Sequence, residues 1–181
     1  MIGPIVDLPR NQYQGYEVPV TYETTGYFGL RQEKRLAGFS FSLQKRDLPA
    51  AIIKSFTINL YPDYLPGAEA FGIKGGENLL GLIEIDHETW NNRLRITELW
   101  VDPNHRRQGI GKLLMDFAFM KANEYHARAV ILETQATNVD AIQFYLARGF
   151  GFFGVDLYSY SNQDIVSKEV RLELGVVLED A

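Results

Sequence analysis

Residues 93–125, RLRITELWVDPNHRRQGIGKLLMDFAFMKANEY, change their hydrophobic period part-way, and that change decides the fold. Arg93 to Val101 read as a strand, which Asp102-Pro103-Asn104 ends because proline has no N–H for a ladder. From Ile110 the spacing becomes helical. Ile110, Leu113, Leu114, Phe117, Ala118 and Tyr125 fall on one face, while Lys112, Asp116 and Glu124 lie off it. The join, Arg106-Arg107-Gln108-Gly109-Ile110-Gly111, therefore sits at a helix start, where backbone N–H groups are unpaired and carry partial positive charge. Gly109 and Gly111 let a ligand approach the backbone with no Cβ in the way. A diphosphate suits both features. Its expected holders are the N–H groups of Gln108, Gly109, Ile110, Gly111 and Lys112, with Arg106 or Arg107 adding charge.

Two other phosphate motifs are excluded. No GxxxxGK[ST] run exists, so this is not a P-loop. The dinucleotide fingerprint needs a small third residue where this chain has Leu114.

Outward from this stretch, Ala70 to Lys74, the turn Gly75-Gly76-Glu77-Asn78 and Leu79 to Asp86 read as a hairpin, and Trp90-Asn91-Asn92 as a second turn. Ala129 to Glu133 is continuously apolar, as expected of a strand buried on both faces. Asn138 caps a second helix that Gly149 ends. Phe150 to Tyr160 and Lys168 to Val177 are two more strands. In the N-terminal third, Tyr27 to Leu30 and Leu36 to Leu43 look like strands, residues 49–61 suit a short helix or a strand, and 61–67 reads as a loop. The predicted fold class is α/β (α+β): a mixed, mostly antiparallel central sheet of about six to seven strands with flanking helices.

The 181 residues suit a single domain, with a recognisable core over about 70–177. There are no cysteines, which removes disulfides, thiolate metal sites and any acyl-cysteine intermediate. His87, His105 and His126 form no ligand-spaced pair, so no metal is expected. A net charge of −5 argues against a nucleic-acid partner and for cationic ones. With no apolar run of membrane-spanning length and no signal-like N-terminus, no membrane partner is expected and the location is read as cytoplasmic. A homodimer is left open.

Leu99-Trp100-Val101-Asp102-Pro103 followed by Arg106 to Gly111 and an amphipathic helix resembles the acetyl-CoA motif of the GNAT superfamily of N-acetyltransferases. A second block, Asn138-Val139-Asp140-Ala141-Ile142-Gln143-Phe144-Tyr145-Leu146-Ala147-Arg148-Gly149-Phe150, fits that family's N-x-x-A-x-x-F-Y-x-x-x-G-F pattern. Within the superfamily, Leu132-Glu133-Thr134-Gln135, Asn138, Phe144-Tyr145 and Tyr158-Ser159-Tyr160-Ser161-Asn162 are similar to streptothricin acetyltransferases.

The resemblance implies acetyl-CoA (coenzyme A) as cofactor, placed between two splayed parallel strands, 93–101 and 129–135, and met by Leu99, Trp100 and Val101 as well as by the glycine turn. It implies that a backbone N–H near Val101 donates to the acetyl oxygen. It also puts Asn138 and Tyr145 along the pantetheine arm. Tyr145, protonated at neutral pH, is the expected proton donor to the leaving thiolate, although a buried tyrosine is equally a core aromatic. Glu98 is the leading candidate base for the substrate ammonium, with its side chain expected on the face of Ile96 and Trp100. Glu84 and Glu133 are rivals. Glu84, Trp90, Glu133 and Tyr158 are candidate walls of the acceptor pocket, with Tyr27 and Tyr160 as further aromatics. Acidic Glu84, Asp86, Glu88 and Glu98 suit a small cationic amine of the streptothricin type, which would make the enzyme one of antibiotic resistance. A protein or peptide N-acetyltransferase and a non-catalytic acyl-CoA-binding module are the alternatives.

Overall fold

A computed structural model describes residues 2–178. The chain opens with strand β1 (Ile5–Asp7) and a one-turn helix α1 (Arg10–Tyr13), then two long strands, β2 (Glu17–Arg35) and β3 (Gly38–Asn59), which pair with each other as a separate two-stranded ribbon. Next come β4 (Glu69–Gly75), β5 (Asn78–Glu88) and β6 (Arg93–Val101), a 3₁₀ turn at Pro103–His105, α2 (Ile110–Glu124), β7 (Ala129–Gln135), α3 (Val139–Ala147), β8 (Gly151–Asp156), the short α4 (Asp164–Ser167) and β9 (Arg171–Val177). The main sheet has the order β1-β4-β5-β6-β7-β9-β8. It is mixed and mostly antiparallel, with β6 and β7 as a parallel pair.

By internal contacts the chain divides into two compact units. The first takes residues 2–20, 56–132 and 175–178; the second takes 21–55 and 133–174. In the first, α2 lies on the face of β5 and β6 that carries Ile83, Ile85, Leu94 and Ile96. A Cβ on Gly81 would stand 2.5 Å from Ile110 Cγ2 and 3.1 Å from Leu114 Cδ1, so glycine is what lets the helix start sit on the strand. The buried stripe of α2 is Ile110, Leu114, Met115, Ala118 and Ala122. This corrects the predicted face, since Leu113 is exposed and Met115 is buried. The true stripe follows i, i+4, i+8 from Ile110, and each fully buried Leu or Met contributes about 1.5–3 kcal/mol. The opposite face of the sheet packs on a core of Leu8, Val18, Ile58, Leu60, Tyr61 and Leu82.

Further corrections fall in the N-terminal third. Leu36 is in the ribbon's two-residue turn rather than in a strand, while of the two readings of 49–61 the strand is the one found, up to Asn59. The ribbon starts at Glu17, ten residues before the predicted Tyr27. In the second unit, β8 stops at Asp156, and the stretch after it contains α4.

Candidate functional site

The glycine turn is built as its sequence predicts. Gly109 has φ +92°, in the left-handed region open to glycine, and Arg107 also has positive φ, +62°. No side chain caps α2, and a Cβ on Gly109 would meet nothing within 4 Å. The first-turn N–H groups thus border open space, flanked by exposed Arg106, Arg107 and Gln108. Arg106 Nε also donates to Val101 O at 3.3 Å, and Lys112 pairs with Asp116 at 3.1 Å on the exposed helix surface.

Strand β6, just before this turn, changes partners along its length. Its pairing with β7 runs from Arg93↔Ala129 to Ile96↔Leu132. Beyond Ile96 only the pairing with β5 continues, to Gly81↔Val101. At the same point the β5–β6 register slips, Ile85 facing Ile96 while Glu84 faces Glu98, so Thr97 is an extra residue on β6. Asp102 N–H donates to Leu80 O at 3.0 Å. Narrow and wide pairs alternate in an antiparallel ladder, so Trp100 exchanges bonds with Leu82, while Leu99 and Val101 do not bond β5. Their N–H groups point to the side from which β7 has departed. A pair of backbone N–H groups turned away from β5 therefore stands just before the glycine turn.

The bulge also changes which side chains share a face. Partners across an antiparallel ladder point the same way, so Glu98 and Trp100 lie with Glu84 and Leu82, and Ile96 lies with Ile85 on the α2 side. The expectation that Glu98 shares a face with Trp100 holds. The expectation that it shares one with Ile96 fails, because Thr97 interrupts the alternation.

Glu84 is 1% exposed, and its two carboxylate oxygens accept from Tyr61 N–H at 2.6 Å and Thr97 Oγ1 at 2.8 Å. Burial pushes its pKa up, opposed by these two hydrogen bonds and the charge of Arg10. It is walled in, and this removes it from the predicted acceptor wall. Asp86 on the same face is also raised by burial. Glu88 is held by Arg93 and Arg95 at 2.9 and 2.6 Å; burial raises its carboxyl, and these partners bring it below the ordinary value. Trp90 stands in the β5–β6 turn, 82% exposed, with the Arg93 guanidinium 5.9 Å from its ring centroid.

The second unit holds the remaining predicted residues. Asn138 is the N-cap of α3, its Oδ1 accepting from Ala141 N–H at 3.4 Å. Seven residues on, Tyr145 is buried on the same helix, with its ring 5.6 Å from Phe144 and 5.9 Å from Phe150. Glu133 binds Arg171 Nε at 2.6 Å and accepts from Tyr160 Oη at 3.3 Å. Burial, then the charge of Glu133, pushes the Tyr160 hydroxyl far up, so it stays protonated at any working pH. Tyr158 is exposed, its N–H on Asp156 Oδ1 at 2.9 Å. Lys168 lies over Tyr27, 5.9 Å from the ring centroid.

A model of the acetyltransferase (GNAT) family matches residues 40–152. The chain belongs to this family. It is a GNAT acetyltransferase, and acetyl-CoA is its expected cofactor. Streptothricin acetyltransferase of Streptomyces lavendulae is 33% identical to it over 138 residues, 71% of this chain and 72% of the relative. The crystal structure of a nourseothricin acetyltransferase superposes with a TM-score of 0.74 at 23% identity, covering 97% of this chain and 98% of the other. A Bacillus anthracis str. Ames protein designated a streptothricin acetyltransferase, solved with acetyl coenzyme A, matches with the same TM-score at 24% identity and 97% coverage of both chains.

The residues present fit that cofactor. The uncapped α2 start, the empty space over Gly109 and the flanking arginines suit a diphosphate, while the Leu99 and Val101 N–H groups are placed to donate to a carbonyl oxygen. Among the described residues no cluster of three or more His, Asp or Glu is arranged to hold a metal, and no helix is long and apolar enough to cross a membrane. Sequence reasoning missed Thr97 and the burial of Glu84. A bulge leaves no mark in composition, and Glu98 stands where the alternation Leu94, Ile96 would place the next residue of the same face. It also missed a cavity of about 450 Å³ in the first unit, bordered by Tyr16, Glu17, Leu80, Trp100, Asp102 and His105.

Proposed function

We propose that this GNAT enzyme transfers an acetyl group to a primary amine of a small cationic molecule of the streptothricin type, by direct attack in a ternary complex. The carrying observation is the pair of N–H groups, Leu99 and Val101, turned away from β5 beyond the last β6–β7 pair and directly before the glycine turn. The acceptor class is supported by the 33% identity to a streptothricin acetyltransferase over 71% of the chain and by the carboxylates Asp86 and Glu98 on one strand face.

When bound, acetyl-CoA supplies an activated thioester carbonyl. The N–H groups of Gln108 to Lys112 and the charge of Arg106 and Arg107 hold the diphosphate. The Leu99 or Val101 N–H donates to the acetyl oxygen and strengthens as negative charge grows there. Glu98 Oε takes the proton of the substrate ammonium through water, because a carboxylate is too weak a base to hold it for long. Tyr145 Oη would donate a proton to the leaving thiolate, while Asn138 holds the start of the same helix. Trp90, Glu133 and Tyr158 are proposed acceptor contacts. With no cysteine in the chain, direct attack needs no acyl-enzyme.

A thiol-release assay with acetyl-CoA and a panel of amines tests this reading. Streptothricin should turn over with the highest kcat/KM, above aminoglycosides, polyamines and peptides. Preference for a peptide N-terminus would replace the acceptor class, and tight coenzyme binding with no turnover of any amine would remove the enzymatic one.

A further inference from the structure

The one buried carboxylate on the β5–β6 face has no role in the steps above, yet it contacts the residue that makes the strands part. Thr97 is the extra residue of the bulge, and the β6–β7 pairing ends at Ile96, immediately before it. Its hydroxyl donates to Glu84 Oε2 at 2.8 Å, while Glu84 Oε1 takes the N–H of Tyr61 at 2.6 Å. Tyr61 is itself fixed. It has φ +58°, its hydroxyl donates to Leu8 O at 2.5 Å and accepts from Ala70 N–H at 2.9 Å, and the Arg10 guanidinium lies 4.6 Å from its ring centroid. Arg10 in turn donates to the carbonyls of Leu65 and Pro66. The bulge is thereby tied, through one carboxylate, to a rigid part of the core. Hydrogen bonds to an ionised acceptor in a buried place are the strong ones, and losing one partner leaves the other uncompensated.

We propose that Glu84 is a positioning residue for acyl transfer: by fixing Thr97 between β5 and the Tyr61 turn, it sets where β6 leaves β7 and so aims the Leu99 and Val101 N–H groups. The proposal rests on reading those N–H groups as donors to the acetyl oxygen. Glu84 touches no reacting atom in this arrangement, which separates it from a proton acceptor. A donor aimed at developing charge loses its benefit when misplaced by an ångström, so the effect belongs in kcat more than in KM.

Thr97→Val, Glu84→Ala and Glu84→Gln separate the possibilities. Thr97→Val keeps the side-chain shape and removes the hydroxyl, so it remains informative where Glu84→Ala fails to fold. In the ligand-free protein, the backbone amide resonances of Leu99 and Val101 should shift in Thr97→Val, while those at the far end of the hairpin, His87 to Arg93, stay in place. With acetyl-CoA and streptothricin, kcat of Thr97→Val should fall by about tenfold or more with the acetyl-CoA KM changed less than about threefold. Glu84→Gln should rescue most of the loss seen in Glu84→Ala, since its amide can still accept from Tyr61 N–H and can donate to Thr97 Oγ1. Unmoved Leu99 and Val101 amides would overturn the proposal, as would an unchanged kcat in Thr97→Val. A loss in Glu84→Gln as deep as in Glu84→Ala would also overturn it, and would make Glu84 a proton acceptor. If the wild type turned over no amine, the acyl-transfer reading would fail, while the ligand-free amide shifts would still decide whether Glu84 sets the bulge.

Discussion

At the residue scale, two positions test the proposed cofactor site and the proposed chemistry. Gly109 combines a left-handed φ with open space where a side chain would project. Aspartate tolerates that backbone better than most residues, and its charge at a helix start stabilises the helix. Gly109→Asp should therefore leave the melting temperature within a few degrees while weakening acetyl-CoA binding by about a hundredfold or more, which isothermal titration measures. Retained affinity would mean that the diphosphate lies elsewhere. Tyr145 is buried against Phe144 and Phe150, so its ring packs whether or not its hydroxyl reacts. Tyr145→Phe keeps that packing. A proton donor's loss should lower kcat by roughly 10²-fold with a smaller change in acetyl-CoA KM. An unchanged kcat would reduce Tyr145 to a core aromatic.

At the element scale, α2 depends on a glycine in another element. Gly81 on β5 leaves the room that Ile110 and Leu114 occupy. In Gly81→Ala the added methyl, 2.5 Å from Ile110 Cγ2, pushes the first turn of α2 off the sheet. Overpacking of this kind costs about 1–3 kcal/mol. Because the displaced turn is the proposed diphosphate cradle, acetyl-CoA affinity should fall together with stability, as parallel denaturant and binding titrations would show. Stability lost with affinity intact would separate the helix start from the cofactor. The β2–β3 ribbon shows the opposite relation between sequence and element. β3 is exposed over most of its length, so no buried face imposes an alternation there, whereas β2 alternates only over Glu17 to Gly26. That is why only fragments of it were legible, and why an apolar run such as 49–61 read equally well as helix.

At the scale of the whole molecule, buried carboxylates link stability to pH. Glu84 titrates above the ordinary value of 4.5 in the folded protein, with burial the leading cause and the Tyr61 and Thr97 bonds opposing it. The native state then holds this proton more tightly than the unfolded chain. Its contribution to stability is fully present below the unfolded value and is lost as pH rises through the folded one. Glu84→Gln removes the ionisation but keeps both partners, so its melting temperature relative to wild type should rise between pH 5 and pH 8. A difference independent of pH would contradict the sign. Asp86 shifts the same way and adds to the wild type's own decline.

The sequence by itself determined the order of the strands and of the two long helices from residue 70 onward, the glycine turn at the start of α2 and the Asn138 cap of α3. These are local: period, proline and glycine stereochemistry, and capping act within a few residues and are written where they act. The same locality made the two GNAT blocks readable. What only the tertiary structure decided is the register of β6 against two neighbours at once. One extra residue at Thr97 turns Glu98 away from Ile96, ends the pairing with β7 and frees the Leu99 and Val101 N–H groups. The burial of Glu84 follows from the same register, because a carboxylate becomes interior only when Tyr61 and Thr97, 23 and 13 residues away in sequence, close on it. No window of sequence holds both ends of those contacts, so the geometry that frees the donor expected near Val101 was decided in the fold.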